Sequence, residues 1–286
     1  MFSGSLVAAI TPMGRDGAID LAAWARLVDF HVENGTSGLV VGGTTGESTA
    51  LADAELDELT RLAVQRAGGR LVVIAGAGTS STGATVARVA RLSQLGVDAL
   101  LVVTPYYIRP PQRGLVQYYL TLAERHETPW MIYHIPGRAA VNVTLESMKE
   151  IRERSRHFVG MKHAVNDLGL VTECLAAFGD EFRIFVGLEE LSFPMMAIGA
   201  CGLMNAVGNL RPGVLAEVTR SFADAGISIE AILQKEPPAG SPDATVIILT
   251  QRVRERQMNA AIARIEALDA ITGTVTRIRL EHLASN

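Results

Sequence analysis

The chain has 286 residues, of which 48% are hydrophobic, and a formal net charge of -4. That is enough apolar material for one large barrel or two ordinary domains. The charge balance gives no basic footprint for nucleic acid and no polybasic patch for a membrane surface, and the longest apolar runs fall well short of a membrane span. Met1-Phe2-Ser3-Gly4 leads straight into a strand-like run without the pattern of a secretory leader, so a cytoplasmic protein is expected. Cys174 and Cys201 are too few for a disulfide framework and do not form a C-x-x-C pair. The six histidines show no metal-ligand spacing, and no metal is expected.

Along the chain, short apolar or β-branched runs alternate with longer helical patterns. The runs fall at 5–10, 38–42, 71–75, 98–103, 129–133, 158–162, 183–187 and 202–206. Each is nearly continuous in apolar character, as expected of strands buried on both faces of a parallel sheet. Residues 20–34 read as an amphipathic helix opened by Asp20, with Leu21, Trp24, Leu27, Val28 and His31 on one face; residues 52–67 read as a second. Eight such units predict an α/β protein, a closed (β/α)8 TIM barrel, with its chemistry at the C-terminal ends of the strands. An open doubly wound sheet is the runner-up. It is disfavoured because no G-x-G-x-x-G follows the first strand.

Polar and glycine-rich residues collect just after the strands. Gly43-Thr44-Thr45-Gly46-Glu47 follows the second, where paired glycines allow a tight turn that can aim backbone N–H groups at an anion. Gly76-Ala77-Gly78-Thr79 lacks the lysine of a phosphate loop and reads as structural. The chain has three lysines, at 149, 162 and 235, and relies otherwise on arginine. Lys149 lies in a charged helical stretch and Lys235 before a Pro-Pro turn, whereas Lys162 ends the apolar run Phe158-Val159-Gly160-Met161. A lysine there can simply run its stem along apolar surface to water. It can also, when buried, give up its proton and attack a carbonyl, which arginine cannot do.

Taken together, Gly43-Thr44-Thr45-Gly46-Glu47, Tyr106-Tyr107, Tyr133 to Arg138, and Lys162 within Gly160-Met161-Lys162 resemble the dihydrodipicolinate synthase / N-acetylneuraminate lyase family over residues 3–217. The resemblance implies a pyruvate-dependent class I aldolase on a TIM barrel. Lys162 would form a covalent Schiff base with pyruvate, so no cofactor is implied. Tyr133 would shuttle protons beside it, coupled through Thr45 to Tyr107, which in the family reaches in from a neighbouring subunit. Thr44 and Thr45 would hold the pyruvate carboxylate, Gly187 and Met204 would complete the substrate site, and Arg138 would hold a carboxylate on the small aldehyde partner. A homo-oligomer, dimer or tetramer, is implied as well. Arg138 and the Thr44-Thr45 pair match the synthase branch, which condenses pyruvate with aspartate semialdehyde, better than the sialic-acid lyases.

Three positions depart from the synthase pattern. The usual Tyr-Asn-x-Pro-x-Arg-Thr is Tyr133-His134-Ile135-Pro136-Gly137-Arg138-Ala139. After the lysine the synthases have Glu-Ala-Thr/Ser, and here His163-Ala164-Val165 stands. Gly-Asp-Asp/Glu after strand seven is Gly187-Leu188-Glu189. The pyruvate half of the site is thus intact and the aldehyde half altered, which leaves another aldolase, or a dehydratase or lyase acting on a 2-keto acid, as the alternative; a silent keto-acid-binding or amino-acid-binding regulatory protein is the reading from another class. At the positions where lysine-sensitive synthases carry His, Asn and Glu, this chain has Asp53, Leu56, Ser80 and Ala84, so weak or absent feedback by lysine is expected.

Domain by domain, residues 1–212 read as the barrel and 213–286 as a separate segment. The latter resembles the ACT domain at the end of homoserine dehydrogenase, a βαββαβ unit, with its first strand missing. Residues 213–281 are expected to run helix, strand, strand, helix, strand, with the strands at 225–236, 244–250 and 273–280 and the second helix at 254–268. Residues 202–208 would have to serve both as barrel strand eight and as the missing strand, which no single conformation allows.

Overall fold

The fold is described from a computed structural model, which describes residues 2–210, 212, 229–234, 246–250, 253–269 and 271–277. Eight parallel strands close into a barrel: β1 (Gly4–Ala8), β2 (Gly38–Val41), β3 (Val72–Gly76), β4 (Ala99–Val103), β5 (Trp130–His134), β6 (Phe158–His163), β7 (Arg183–Val186) and β8 (Gly202–Asn205). Every apolar run read from the sequence becomes a strand, with ends moved by one or two residues. Closure is made by β1 on β8, with Gly4 opposite Gly202 and Val7 opposite Asn205. Residues 202–205 therefore serve as barrel strand eight, and the ACT-like segment does not have them.

The strands are buried on both faces because successive side chains point to opposite sides. Leu6, Val40, Ile74, Leu101, Met131, Tyr133, Phe185 and Met204 fill the barrel interior. Their neighbours Val7, Leu39, Val41, Val73, Leu100, Val102, Ile132 and Met161 pack outward under the helices. The helices around the barrel are α1 (Leu21–Glu33), α2 (Asp53–Ala67), α3 (Thr82–Ser93), α4 (Gln112–Ala123), the short α5 (Pro136–Ala139), α6 (Leu145–Arg154), α7 (Leu168–Phe178) and the short α8 (Ser192–Ala197). Asp20 caps α1 by accepting from the Ala23 N–H, as its position in the sequence predicts. Ser81, Thr144 and Asp167 cap α3, α6 and α7 in the same way.

The chain divides into two compact units, Met1–Ala216 and Glu217–Asn286. In the second, β9 (Ile229–Gln234) pairs antiparallel with β10 (Val246–Thr250), and helix α9 (Glu255–Glu266) follows. These match the strands expected at 225–236 and 244–250 and the helix at 254–268. The expected strand at 273–280 is not found over its described part, 273–277. Side chains of α9 hold that stretch instead: Glu266 accepts from the Val275 N–H at 2.7 Å, and Arg277 reaches Asn259 at 2.9 Å and Glu255 at 3.5 Å. The helix expected just before β9 lies outside the described residues.

Candidate active site

Strands β5 and β6 run in register with Tyr133 opposite Lys162 and His134 opposite His163. Alternation along the strands puts Tyr133 and Lys162 on the inner face, at the C-terminal mouth of the barrel. Lys162 is only 5% exposed. Its Nζ lies 4.5 Å from the centroid of the Tyr133 ring. Burial pulls its pKa down from 10.5 to about 8, against the pull of Glu189, whose charge favours the ammonium form. At neutral to mildly basic pH a substantial share of this amine is therefore unprotonated and nucleophilic.

Gly187 makes room for the lysine. A Cβ there would sit 2.8 Å from the Ala164 Cβ and 2.9 Å from Cε of Lys162. Its backbone N–H donates to the His163 carbonyl at 2.8 Å, fixing the end of β7 against β6. Met204 is fully buried in the interior cluster with Tyr133 and Phe185. Gly187 thus lies against Lys162, and Met204 packs in the interior with Tyr133.

The Tyr133 hydroxyl is hydrogen-bonded to Oγ1 of Thr44 at 3.3 Å. By resemblance this coupling runs through Thr45; in the structure the hydrogen bond to Tyr133 is made by Thr44. Burial raises the Tyr133 pKa, while the Thr44 hydrogen bond and the Arg138 charge oppose the rise, so the phenol is protonated at neutral pH. Thr45 sits half-buried in the same loop. Tyr107 is 90% exposed, with a left-handed φ of +74°.

The loop that carries the threonines is held by close backbone contacts. Thr11 donates through Oγ1 to the Gly46 carbonyl at 2.7 Å. A Cβ on Gly76 would meet the Gly42 carbonyl oxygen at 2.1 Å, so Gly76-Ala77-Gly78-Thr79 serves close packing of the β2 and β3 ends. The N–H groups of Gly46, Glu47 and Ser48 are taken by the carbonyls of Gly43 and Thr44. Among the described residues, those of Thr44 and Thr45 have no backbone acceptor.

A cavity of about 240 Å³ opens over this floor, lined by Thr44, Tyr133 and Arg138 together with Ser48, Arg88 and Tyr106. Arg138 is exposed on α5, within electrostatic reach of Tyr133. One residue that the sequence names only as part of an altered motif gains a role here. Glu189, in the turn after β7, acts electrostatically on both Lys162 and Tyr133 and accepts from the Ala206 N–H at 3.1 Å. Its signals in the sequence are its place just beyond a strand end and its position in Gly187-Leu188-Glu189, where the synthase pattern also allows Glu. No group of three or more His, Cys, Asp or Glu side chains able to hold a metal occurs among the described residues.

A sequence profile of the Dihydrodipicolinate synthetase family matches residues 1–236, and the chain belongs to that family. A profile of the ACT domain matches residues 211–270. Among curated relatives, the 4-hydroxy-tetrahydrodipicolinate synthase of Aquifex aeolicus is 38% identical over 221 residues, which are 77% of this chain and 75% of the relative. That of Persephonella marina is 38% identical over 220 residues, again 77% and 75%. The crystal structure of dihydrodipicolinate synthase from Aquifex aeolicus superimposes with a TM-score of 0.75 at 37% identity, covering 78% of this chain and 76% of that one. The Cyanidioschyzon merolae enzyme, solved with lysine bound, gives a TM-score of 0.75 at 30% identity over 79% of this chain and 76% of that one.

Proposed function

We propose that the protein is a class I pyruvate-dependent aldolase of the 4-hydroxy-tetrahydrodipicolinate synthase type, which condenses pyruvate with aspartate semialdehyde. The observation that carries the reading is the Lys162 amine, buried at the barrel mouth beside Tyr133 with its pKa drawn down to about 8.

The Nζ lone pair attacks C2 of pyruvate, the ketone oxygen leaves as water, and a protonated imine forms. The imine withdraws electrons from C3, whose proton is lost to give an enamine. C3 then bonds to the aldehyde carbon, the alkoxide takes up a proton, and the amino group carried by aspartate semialdehyde adds to the imine carbon, closing the ring and expelling the Lys162 amine. The imine is itself the electron sink, so no metal or other cofactor enters the scheme. Tyr133 and Thr44 supply and remove protons at the carbinolamine and alkoxide oxygens. A protonated phenol in a hydrogen-bonded relay suits that work better than a free phenolate. The unpaired N–H groups of Thr44 and Thr45 suit the pyruvate carboxylate. Arg138, at the rim of the cavity, offers a planar fork for a carboxylate on the aldehyde. Tyr107 would complete the relay of a second copy of the chain, within a dimer or tetramer.

Borohydride reduction in the presence of pyruvate should leave a stable adduct at Lys162 that Lys162→Ala abolishes. An adduct on Lys149 or Lys235 would refute the mechanism. A screen of aldehyde acceptors then separates aspartate semialdehyde from other partners. Arg138→Ala should raise KM for a carboxylate-bearing aldehyde far more than KM for pyruvate, and an equal rise in both would make Arg138 structural.

A further inference from the structure

The departures at positions 134 and 163 meet in space. His134 and His163 are cross-strand partners at the ends of β5 and β6, both buried, with Nδ1 facing Nδ1 at 3.2 Å. They lie on the outer face of the sheet, opposite the face that carries Tyr133 and Lys162. The outer nitrogens are also engaged. His163 Nε2 faces the Asp167 carbonyl oxygen at 3.0 Å, and His134 Nε2 faces the Val143 N–H at 3.4 Å.

The backbone groups at the two ends fix the direction of the whole chain of bonds. A carbonyl only accepts, so His163 Nε2 carries hydrogen. Its Nδ1 is then the lone-pair nitrogen and accepts from Nδ1–H of His134. That leaves His134 Nε2 with a lone pair, which is what the Val143 N–H requires. Both ends demand the same pair of neutral tautomers. An added proton on either ring would set two donors against each other. Burial pushes the pKa of His134 down to about 4 and that of His163 below its usual value. The titratable groups acting on the pair are Asp167 on both rings and His163 on His134, and the Asn142 side chain lies against His134.

The bonds connect two loops of the site. Val143 ends the segment that holds α5 and Arg138, and Asp167 ends the loop that follows Lys162 and caps α7. We propose that His134 and His163 are paired positioning residues: two neutral imidazoles, each held in one tautomer, that tie the Arg138-bearing segment 135–143 to the strand carrying Lys162 and so set the fit of the aldehyde substrate. The proposal rests on the aldolase reading. The two positions at which the synthase pattern has Asn and Glu thus fall on one contact in this chain.

Nitrogen-15 NMR of the histidine-labelled protein, assigned with H134N and H163E, should find Nδ1–H at His134 and Nε2–H at His163, neither titrating near 6.5. The same tautomer on both rings, or a normal titration of either, overturns the pair. In kinetics each single variant should raise KM for the aldehyde by about 10- to 100-fold, the scale of a small misplacement of a binding group, with little change for pyruvate. The double variant H134N/H163E should recover most of that loss. Equal effects on both substrates, or no recovery in the double variant, would reduce the pair to packing. Borohydride trapping in the unaltered enzyme keeps the two questions apart: its failure refutes the aldolase, while the tautomers still decide the pair.

Discussion

At the scale of single residues, the site spends stability on reactivity. Lys162 has a folded pKa of about 8 against 10.5 when solvated, so the unfolded chain binds the extra proton between those values. Stability tied to this group is therefore lowest below pH 8 and recovers as pH rises from about 8 to 10.5. Lys162→Met should raise the melting temperature at pH 7, by up to about 3 kcal/mol in stability given 1.36 kcal/mol per pKa unit. The gain should shrink steadily as the pH is raised toward 10.5, and a gain independent of pH would show that the lysine is not held near neutrality. The relay gives a second expectation. Tyr133→Phe should keep the fold and lose turnover by about 10²- to 10⁴-fold, the range of general acid–base groups. Thr44→Val should cost more turnover than Thr45→Val, since Thr44 holds the hydrogen bond. The reverse order would return the coupling to Thr45, where the sequence reading had placed it. The sequence could name both threonines but not choose between them, because which hydroxyl reaches the tyrosine depends on how the loop turns.

At the scale of elements, glycines decide how closely strands and loops approach. A Cβ on Gly160 would stand 1.9 Å from the Arg183 carbonyl oxygen across β6 and β7. Gly160→Ala should therefore force the two strands apart two residues before the lysine, at a cost of about 1–3 kcal/mol or more, as for overpacking a full core. Thermal melting with pyruvate trapping on the same variant would check it. Melting unchanged from the parent would mean that the strands already give at that point. The strand pattern itself was legible, since runs buried on both faces look alike wherever they occur in a parallel sheet. The His134–His163 contact was not. The two residues lie 29 positions apart and meet only through the register of β5 on β6.

At the scale of the whole molecule, the barrel and the tail follow different plans. The curated relatives match about three quarters of this chain, and the ACT profile begins at residue 211. The described part of the second unit holds a two-stranded sheet and one helix, with 273–277 bound to that helix rather than to the sheet. Among the described residues that sheet has two strands, a small base for an amino-acid site. Neither lysine nor threonine should therefore raise the melting temperature of the full chain. For lysine the barrel gives a second reason. Asp53 is already paired with Arg88 and Arg91, and Leu56 is wholly buried under Gly42. A ligand-dependent rise that disappears on deletion of residues 226–286 would make the tail a working sensor. Sedimentation of the same samples should show incomplete assembly if the unmatched quarter of the relatives helps to build their oligomer. The exposed Tyr107 and Ile108 mark one face available for assembly.

The sequence by itself determined the barrel and the family, and it singled out Lys162 as the candidate nucleophile. Those rest on local signals: apolar periodicity, one lysine ending an apolar run where arginine is otherwise chosen, and short motifs at strand ends. Only the tertiary structure decided which threonine meets Tyr133, that Glu189 bears on the reacting pair, that residues 202–205 belong to the barrel, and that two altered positions form one histidine pair. Each of these depends on strand register, barrel closure and the path of loops, which arise from packing between segments distant in the chain.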